Sequence, residues 1–156
     1  MKTCRNQKGF TLIEIISVMV VVTIIGVVAG MGLVKIAEGF VFAKKNAATA
    51  QKGQIAMARI AKELNAVKSI SSGSGTSITF TRTTGESHTI SLSGTELRVD
   101  TDVLVDNVNT FEIKYYSTYN ASPSTTYSSS AAMIQISLKL TGAGDVLSEF
   151  IDRVTL

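Results

Sequence analysis

The pattern of hydrophobic and polar residues divides the chain into four segments. Residues 1–9 are mostly polar and basic, and Ile15–Val34 contains no charged side chain. An uncharged run of about 20 apolar residues is long enough to cross a membrane as a helix. In lipid such a run must satisfy its own backbone hydrogen bonds, which favours helix despite its β-branched residues. We therefore predict a membrane-spanning helix over residues 10–34.

The next segment, residues 35–70, is amphipathic. Its apolar residues recur at three- and four-residue steps, which predicts one face of a helix: Ile36, Phe40, Ala43, Ala47, Ala50, Met57, Ile60, Leu64 and Val67. Charged residues, including Lys44, Lys45 and Glu63, fill the other faces, and we interpret the lysine pair as solvated rather than bound to lipid or DNA. With no proline before Pro123, the pattern predicts one continuous helix from about Phe10 to about Ser69.

Residues 71–156 show the two-residue alternation of strands separated by turns. Ser71–Gly75 has the composition of a linker or turn. Strands are predicted around the apolar residues of 78–81, 90–92, 97–99, 111–115, 134–140 and 147–156. Residues 100–107 are predicted to be a connection, and residues 119–130 a polar loop. An antiparallel sheet whose apolar face is covered by the amphipathic helix is an α+β fold.

The basic charge of the chain belongs to its first residues. The net charge is +3, and Lys2, Arg5 and Lys8 all precede Gly9. A chain cut after Gly9 would therefore be neutral, and strong nucleic-acid binding, which depends on neutralising phosphates, is not expected. Cys4 is the only cysteine, so the cut chain would carry neither a disulfide nor a thiolate metal site.

Little in the C-terminal segment indicates catalysis, cofactors or metals. His88 is the only histidine, and nothing in the sequence orients it. Asp100, Asp102, Asp106 and Asn107 offer oxygen ligands for calcium, but their spacing matches no known loop motif, and a solvated acidic turn is favoured. Tyr115, Tyr116, Tyr119 and Tyr127 are interpreted either as half-buried strand residues or as a contact surface.

Glu14 is the unusual residue of the apolar segment. A carboxylate at such a position is costly and usually has a partner. It lies four residues after Phe10, on the same helix face. Its partner would be a new terminal ammonium on Phe10, from the same chain or a neighbour; alternatively, Glu14 simply lies favourably near a helix N-terminus. The basic head favours a cytoplasmic N-terminus. A secretory signal cut near Ala29–Gly32 and an uncleaved signal anchor remain as alternatives, and neither explains Glu14.

The junction Lys8-Gly9-Phe10-Thr11-Leu12-Ile13-Glu14 resembles the class III leader junction of type IV pilins and type II secretion pseudopilins. The resemblance covers residues 1–34 closely. It implies cleavage after Gly9 by a prepilin peptidase, N-methylation of Phe10, and a role for Glu14 in assembly with other subunits. It also implies an inner-membrane protein with a periplasmic C-terminal domain, which then packs into a pseudopilus or pilus.

The residues that bear on the type of pilin or pseudopilin form less specific patterns. Many major pilins have a proline in the apolar run, where this chain has Gly26, Gly30 and Gly32; these glycines indicate a pliable or closely packed helix. The late strand pattern from Leu104 to Tyr116 is similar to J-type minor pseudopilins. A minor pilin or pseudopilin is therefore expected, with a tip module for adhesion or DNA uptake as the alternative and a tethered periplasmic enzyme as a remote one.

Overall fold

The structure is a computed structural model that describes residues 9–156. The leader prediction for residues 1–8, including Cys4, lies outside these described residues. One helix and eight strands follow in chain order: α1 Leu12–Asn65, β1 Val67–Gly73, β2 Ser77–Arg82, β3 Ser87–Ser93, β4 Glu96–Val99, β5 Asp102–Val105, β6 Val108–Tyr116, β7 Met133–Thr141 and β8 Leu147–Thr155. The chain divides into two compact units, Met1–Val41 and Phe42–Leu156.

In the first unit, the described part of α1 exposes its apolar side chains on every face. The two hydroxyls within the apolar run are satisfied inside the helix: Ser17 donates to the carbonyl of Ile13 and Thr23 to that of Met19, both at 2.8 Å. By length and composition α1 is able to cross a membrane. The absence of unsatisfied hydroxyls suits a hydrocarbon environment, because an unpaired polar group there is costly.

In the second unit, the strands form two antiparallel sheets. The first has the order β1-β2-β3-β4-β5 and the second the order β6-β7-β8. Backbone hydrogen bonds join them, from the Ile113 N–H to the Gly75 carbonyl at 2.7 Å and from the Val108 N–H to the Thr95 carbonyl at 2.9 Å. The α+β prediction is confirmed, although the strands are divided between two sheets where one was expected.

The core lies between the C-terminal part of α1 and both sheets. Ala56, Met57, Ile60 and Leu64 of α1 are buried in one cluster with residues of seven strands, β2 to β8. The predicted apolar stripe is therefore confirmed in its last part. Ile36, Phe40, Ala43 and Ala47 are exposed instead. Contact between α1 and the β7–β8 turn is already present at Phe42, whose ring lies beside Gly144, and at Asn46, whose side-chain oxygen accepts the Ala143 N–H at 2.8 Å.

The helix ends earlier than predicted, at Asn65, and part of the expected linker is strand. The Ala66 N–H bonds to the Glu63 carbonyl at 3.2 Å, a tightened last turn, and the Ala66 carbonyl accepts the Thr83 N–H at 3.1 Å. From Val67 the chain pairs with β2, placing Ile70 opposite Phe80. Val67 and Ile70 favour strand, and the available edge of β2 decides the outcome.

Two further expectations are corrected. Residues 100–107 are not only a connection, because they contain β5, which pairs with β4 after a reversal at Asp100. Asp100 has a φ of 56°, a left-handed conformation that aspartate tolerates better than most residues. Glu63, assigned to an outer face of the helix, is buried at 7% exposure.

Candidate processing and assembly site

The Gly9–Phe10 junction precedes the helix and is accessible. Both residues lie outside regular secondary structure, and α1 begins at Leu12. Both are exposed, with Phe10 at 79%. A peptide bond in such a segment can enter an enzyme active site without prior unwinding of the helix.

Thr11 caps the start of α1. The Glu14 N–H donates to the Thr11 hydroxyl at 3.3 Å and to the Thr11 carbonyl at 3.1 Å. Thr11-x-x-Glu14 has the sequence of a capping box, in which the threonine satisfies an otherwise unpaired helix N–H. This local role was not predicted, although the Thr-x-x-Glu spacing is a usable signal for it. The motif therefore fixes where the helix starts relative to Phe10.

The Glu14 carboxylate lies on a shallow apolar surface. Ile15, Val18 and Met19 of α1 and Phe10, which precedes the helix, surround it. Within residues 9–156 no side chain donates a hydrogen bond or forms an ion pair with it. Its place in the first turn is favourable, because a helix N-terminus carries a partial positive charge. The local geometry accounts for the position of Glu14 and leaves its carboxylate available to a cation from outside the described residues.

Comparison with protein families identifies this segment. A family model described as the prokaryotic N-terminal methylation motif matches residues 4–33. The N-terminal segment carries this motif. The match supports the type IV pilin and pseudopilin family, and a class III leader implies processing by a prepilin peptidase and assembly with other pilins. No curated protein and no solved structure matches the chain.

The motif points to a structural subunit of the pilin and pseudopilin family. The apolar helix and the motif together fit a membrane-anchored pilin. The other candidate residues, which are His88, the acidic residues of 100–107 and the four tyrosines, all lie among the strands or the loops between them.

His88, on β3, lies near the carboxylates of Asp100 and Glu86. Its Nδ1 lies 2.7 Å from the Asp100 carboxylate and its Nε2 lies 3.7 Å from that of Glu86. Asp100 also accepts the Thr89 N–H at 2.7 Å. The hydrogen bond with His88, helped by the Thr89 N–H, lowers the pKa of Asp100 against the opposing effect of desolvation. In the described part of the chain no serine or threonine hydroxyl bonds to His88, so the pair lacks a nucleophile.

Two of the residues weighed as calcium ligands, for which a solvated acidic turn was favoured, bond to different partners. Asp106 bonds to Lys52 of α1 at 2.8 Å, and this hydrogen bond lowers the pKa of Asp106. Asp100, which precedes β5, bonds to His88 of β3 instead. Among residues 9–156 no three histidine, cysteine, aspartate or glutamate side chains are grouped to hold a metal. Asp100 lies at the chain reversal before β5, and Asp106 links the segment after β5 to α1.

The four tyrosines lie in two places. Tyr115 and Tyr127 pack against each other, and Tyr116 and Tyr119 lie near Arg153. Tyr115 is buried and meets Tyr127 edge-on, with ring centroids 5.7 Å apart. Burial raises the pKa of Tyr115 to about 12. On the outer face of β6–β8, the Arg153 guanidinium lies 5.7 Å from the Tyr116 ring centroid and 5.9 Å from that of Tyr119. The sequence did not distinguish buried Tyr115 from exposed Tyr119, or from Tyr116 and Tyr127, which are partly buried.

The ion-pair cluster of Arg59, Glu63 and Arg82 was not predicted from the sequence. Buried Glu63 bonds to Arg82 of β2, and Arg59 lies one helical turn away with its Nε 3.8 Å from the other carboxylate oxygen. The i,i+4 spacing of Arg59 and Glu63 was the only local signal. The partner on β2 is brought there by the β1–β2 hairpin, which pairs Val67 with Arg82.

Proposed function

We propose that the chain is a minor pilin or pseudopilin, a structural subunit of a type II secretion pseudopilus or of a type IV pilus. A prepilin peptidase cuts it after Gly9 and N-methylates Phe10. The matched methylation motif over residues 4–33 is the observation that carries the proposal. The accessible junction at Gly9–Phe10 and the exposed apolar N-terminal part of α1 support it.

In this proposal the uncut chain is anchored in the bacterial inner membrane by residues 10–34. The N-terminus is cytoplasmic and the strand unit is periplasmic. The apolar side chains of α1 face lipid before assembly and other subunits afterwards, which removes them from lipid without exposing them to water. Topology is tested by fusing a periplasm-dependent reporter enzyme to Leu156, with activity expected; activity only in a cytoplasm-dependent reporter contradicts it.

Processing is tested by intact mass and N-terminal sequencing of the membrane form. The expected chain begins at Phe10 and carries one added methyl group. Gly9→Leu is expected to leave the precursor uncut, while Gly39→Leu, a change of the same type in the helix, is expected to be processed normally. A mature chain beginning at any other residue contradicts the proposal.

Glu14 is proposed to guide assembly by pairing with the terminal ammonium of a neighbouring subunit. Glu14→Gln keeps the side chain's size and a residue type suited to the capping box while removing the charge. We expect it to insert into the membrane and to be lost from the sheared or cross-linked fibre. Thr11→Val, which removes the cap and leaves the charge, is the matched control and should be incorporated. Normal incorporation of Glu14→Gln refutes the pairing role.

The two machines are distinguished by where the assembled subunit is found. A pilus subunit is recovered in the fraction sheared from the cell surface, and a pseudopilus subunit stays with the cell envelope. The neutral charge after cleavage gives no support to a tip module for DNA uptake, because affinity for nucleic acid depends on phosphate neutralisation.

A further inference from the structure

The outer face of the second sheet carries a group of four side chains, Tyr116, Tyr119, Gln135 and Arg153, here called the Arg153 cluster. Gln135 and Arg153 are directly opposed on β7 and β8. The Arg153 guanidinium lies 5.7 Å from the ring centroid of Tyr116 and 5.9 Å from that of Tyr119. Its Nε donates to the Gln135 side-chain oxygen at 2.8 Å. Two rings and a hydrogen bond therefore hold the guanidinium in place in the single chain.

The Arg153 cluster offers hydrogen-bond donors and few acceptors. The Gln135 oxygen already accepts from Arg153 and, at 3.3 Å, from the Tyr116 hydroxyl, which leaves the amide nitrogen of Gln135 as a donor. Within residues 9–156 the two Nη groups of Arg153 form no hydrogen bond. A guanidinium has no acceptor atom, and its planar fork matches the two oxygens of a carboxylate. The chemistry of the cluster therefore suits a carboxylate ligand.

The other charges on this face are matched in pairs. Lys114 lies 2.9 Å from Glu112, and Lys139 lies 3.4 Å from Glu149. No carboxylate in the described part of the chain forms an ion pair with Arg153, and the first eight residues contain no acidic side chain. Arg153 is therefore the charge on this face that is available to a carboxylate from another molecule.

The surroundings of the Arg153 cluster indicate what kind of molecule carries that carboxylate. Tyr119 is 74% exposed, and Ile151, two residues before Arg153 on the same face, is 58% exposed. Tyrosine and arginine are the residues that dominate the binding energy of protein interfaces. On an open sheet face a small carboxylate would stay largely in water, whereas a protein segment covers the rings and excludes water from the ion pair.

We propose that the Arg153 cluster is a docking site for an acidic segment of a second protein. An aspartate or glutamate of that segment pairs with the guanidinium fork, and a neighbouring apolar side chain packs on Ile151. Because the guanidinium is already held by its neighbours, little side-chain freedom is lost when the partner binds. The site lies wholly among the strands, so the inference does not depend on processing at the Gly9–Phe10 junction.

The first test is photo-cross-linking of the full chain in intact cells. The photoreactive amino acid p-benzoylphenylalanine replaces Thr155, which is exposed two residues after Arg153 on the same face and leaves the cluster intact. Mass spectrometry then identifies the cross-linked peptide. We expect one partner protein, joined through a peptide that contains an aspartate or glutamate. The same amino acid at Val103, half-exposed on the edge strand β5, is the matched control and should not give this product.

The second test changes Arg153 in the Thr155 cross-linking background. Arg153→Gln is expected to lower the yield of the product about tenfold, because the charged hydrogen bonds are lost. Arg153→Lys keeps the charge without the planar fork, and we expect about a threefold reduction. Lys139→Gln removes the same charge from the same face and is the matched control, which should leave the yield unchanged.

The third test exchanges the charges between the two proteins. Arg153→Glu should abolish the product, because it opposes two carboxylates. Changing the acidic residue of the cross-linked partner peptide to arginine should then restore the product. Restoration supports direct pairing, because a substitution in the partner cannot repair a folding defect in this chain.

The remaining outcomes overturn the proposal. They are no product above the Val103 control, a partner peptide without an acidic residue, equal yields from Arg153→Gln and Lys139→Gln, and charge exchange without restoration. A product formed only with a second copy of this chain also overturns it, because the site would then join identical subunits. Arg153→Gln is expected to be inserted and cut normally, so a failure here is distinct from a failure of the proposed processing.

Discussion

At the scale of single residues, Glu63 shows how one side chain joins the helix to the first sheet. It is buried on α1, bonds to Arg82 of β2 and lies near Arg59. A buried carboxylate is tolerated only when it is paired, because desolvation of an isolated charge is costly. The residue lies two positions before the end of α1 at Asn65, where it joins the helix to the hairpin that follows.

Removing this carboxylate is expected to destabilise the strand unit. Glu63→Ala leaves Arg82 without its partner, and we expect a loss of about 2 kcal/mol in the free energy of unfolding, measured with denaturant. The control is Glu96→Ala, which breaks the half-exposed pair with Arg98 and should cost under about 1 kcal/mol. Equal losses in the free energy of unfolding would show that the Glu63 cluster stabilises the fold no more than the half-exposed Glu96–Arg98 pair.

At the scale of elements, close contact between α1 and β8 depends on a glycine. A Cβ at Gly53 would collide with the ring of Phe150, whereas a Cβ at Gly39 would meet nothing within 4 Å. The two positions share helical conformation and differ in their surroundings. Asn46, seven residues earlier, makes a second contact at the β7–β8 turn.

Alanine substitutions at the two glycines should therefore have opposite effects. Gly53→Ala gains helix propensity but must displace Phe150, and a net loss of about 1–2 kcal/mol is expected. Gly39→Ala should be neutral or raise the melting temperature, with a gain of up to about 1 kcal/mol. Thermal unfolding followed by circular dichroism measures both. A stabilising Gly53→Ala would mean that the helix does not approach β8 this closely.

At the scale of the whole molecule, the dependence of stability on pH follows from two carboxylates. Asp106 bonds to Lys52 of α1, and Asp100 to His88 of β3; both hydrogen bonds lower the aspartate pKa. A lowered pKa in the folded state contributes stability above the unfolded value, near pH 4, and this contribution is lost as the pH falls through the folded value. The chain should thus lose stability in that acidic range.

Asp106→Asn is expected to lower the melting temperature at pH 7 and to reduce its fall on acidification. Asparagine binds no proton in either the folded or the unfolded state, so this position no longer makes stability depend on pH. Asp102→Asn, at a position for which no ion pair is found in the described part of the chain, is the control and should keep the slope of the unaltered chain. Identical pH profiles for all three proteins would refute the role of the Lys52–Asp106 pair.

The sequence by itself determined what depends on neighbours along the chain. The apolar run, the Thr11-x-x-Glu14 cap and the two-residue alternation of β7 each depend on residues a few positions apart, so helix, junction and most strands could be predicted. The methylation motif is local in the same sense, and the family match covers the same residues.

The tertiary structure decided what depends on residues far apart in sequence. Pairing with β2 ended α1 at Asn65 and made Val67–Gly73 a strand, and Arg82 turned Glu63 from a surface residue into a buried one. The division into two sheets left β8 at an edge. No local pattern carries this information, because an open edge, a buried charge and a strand that outcompetes a helix all depend on which distant segment occupies the adjacent space.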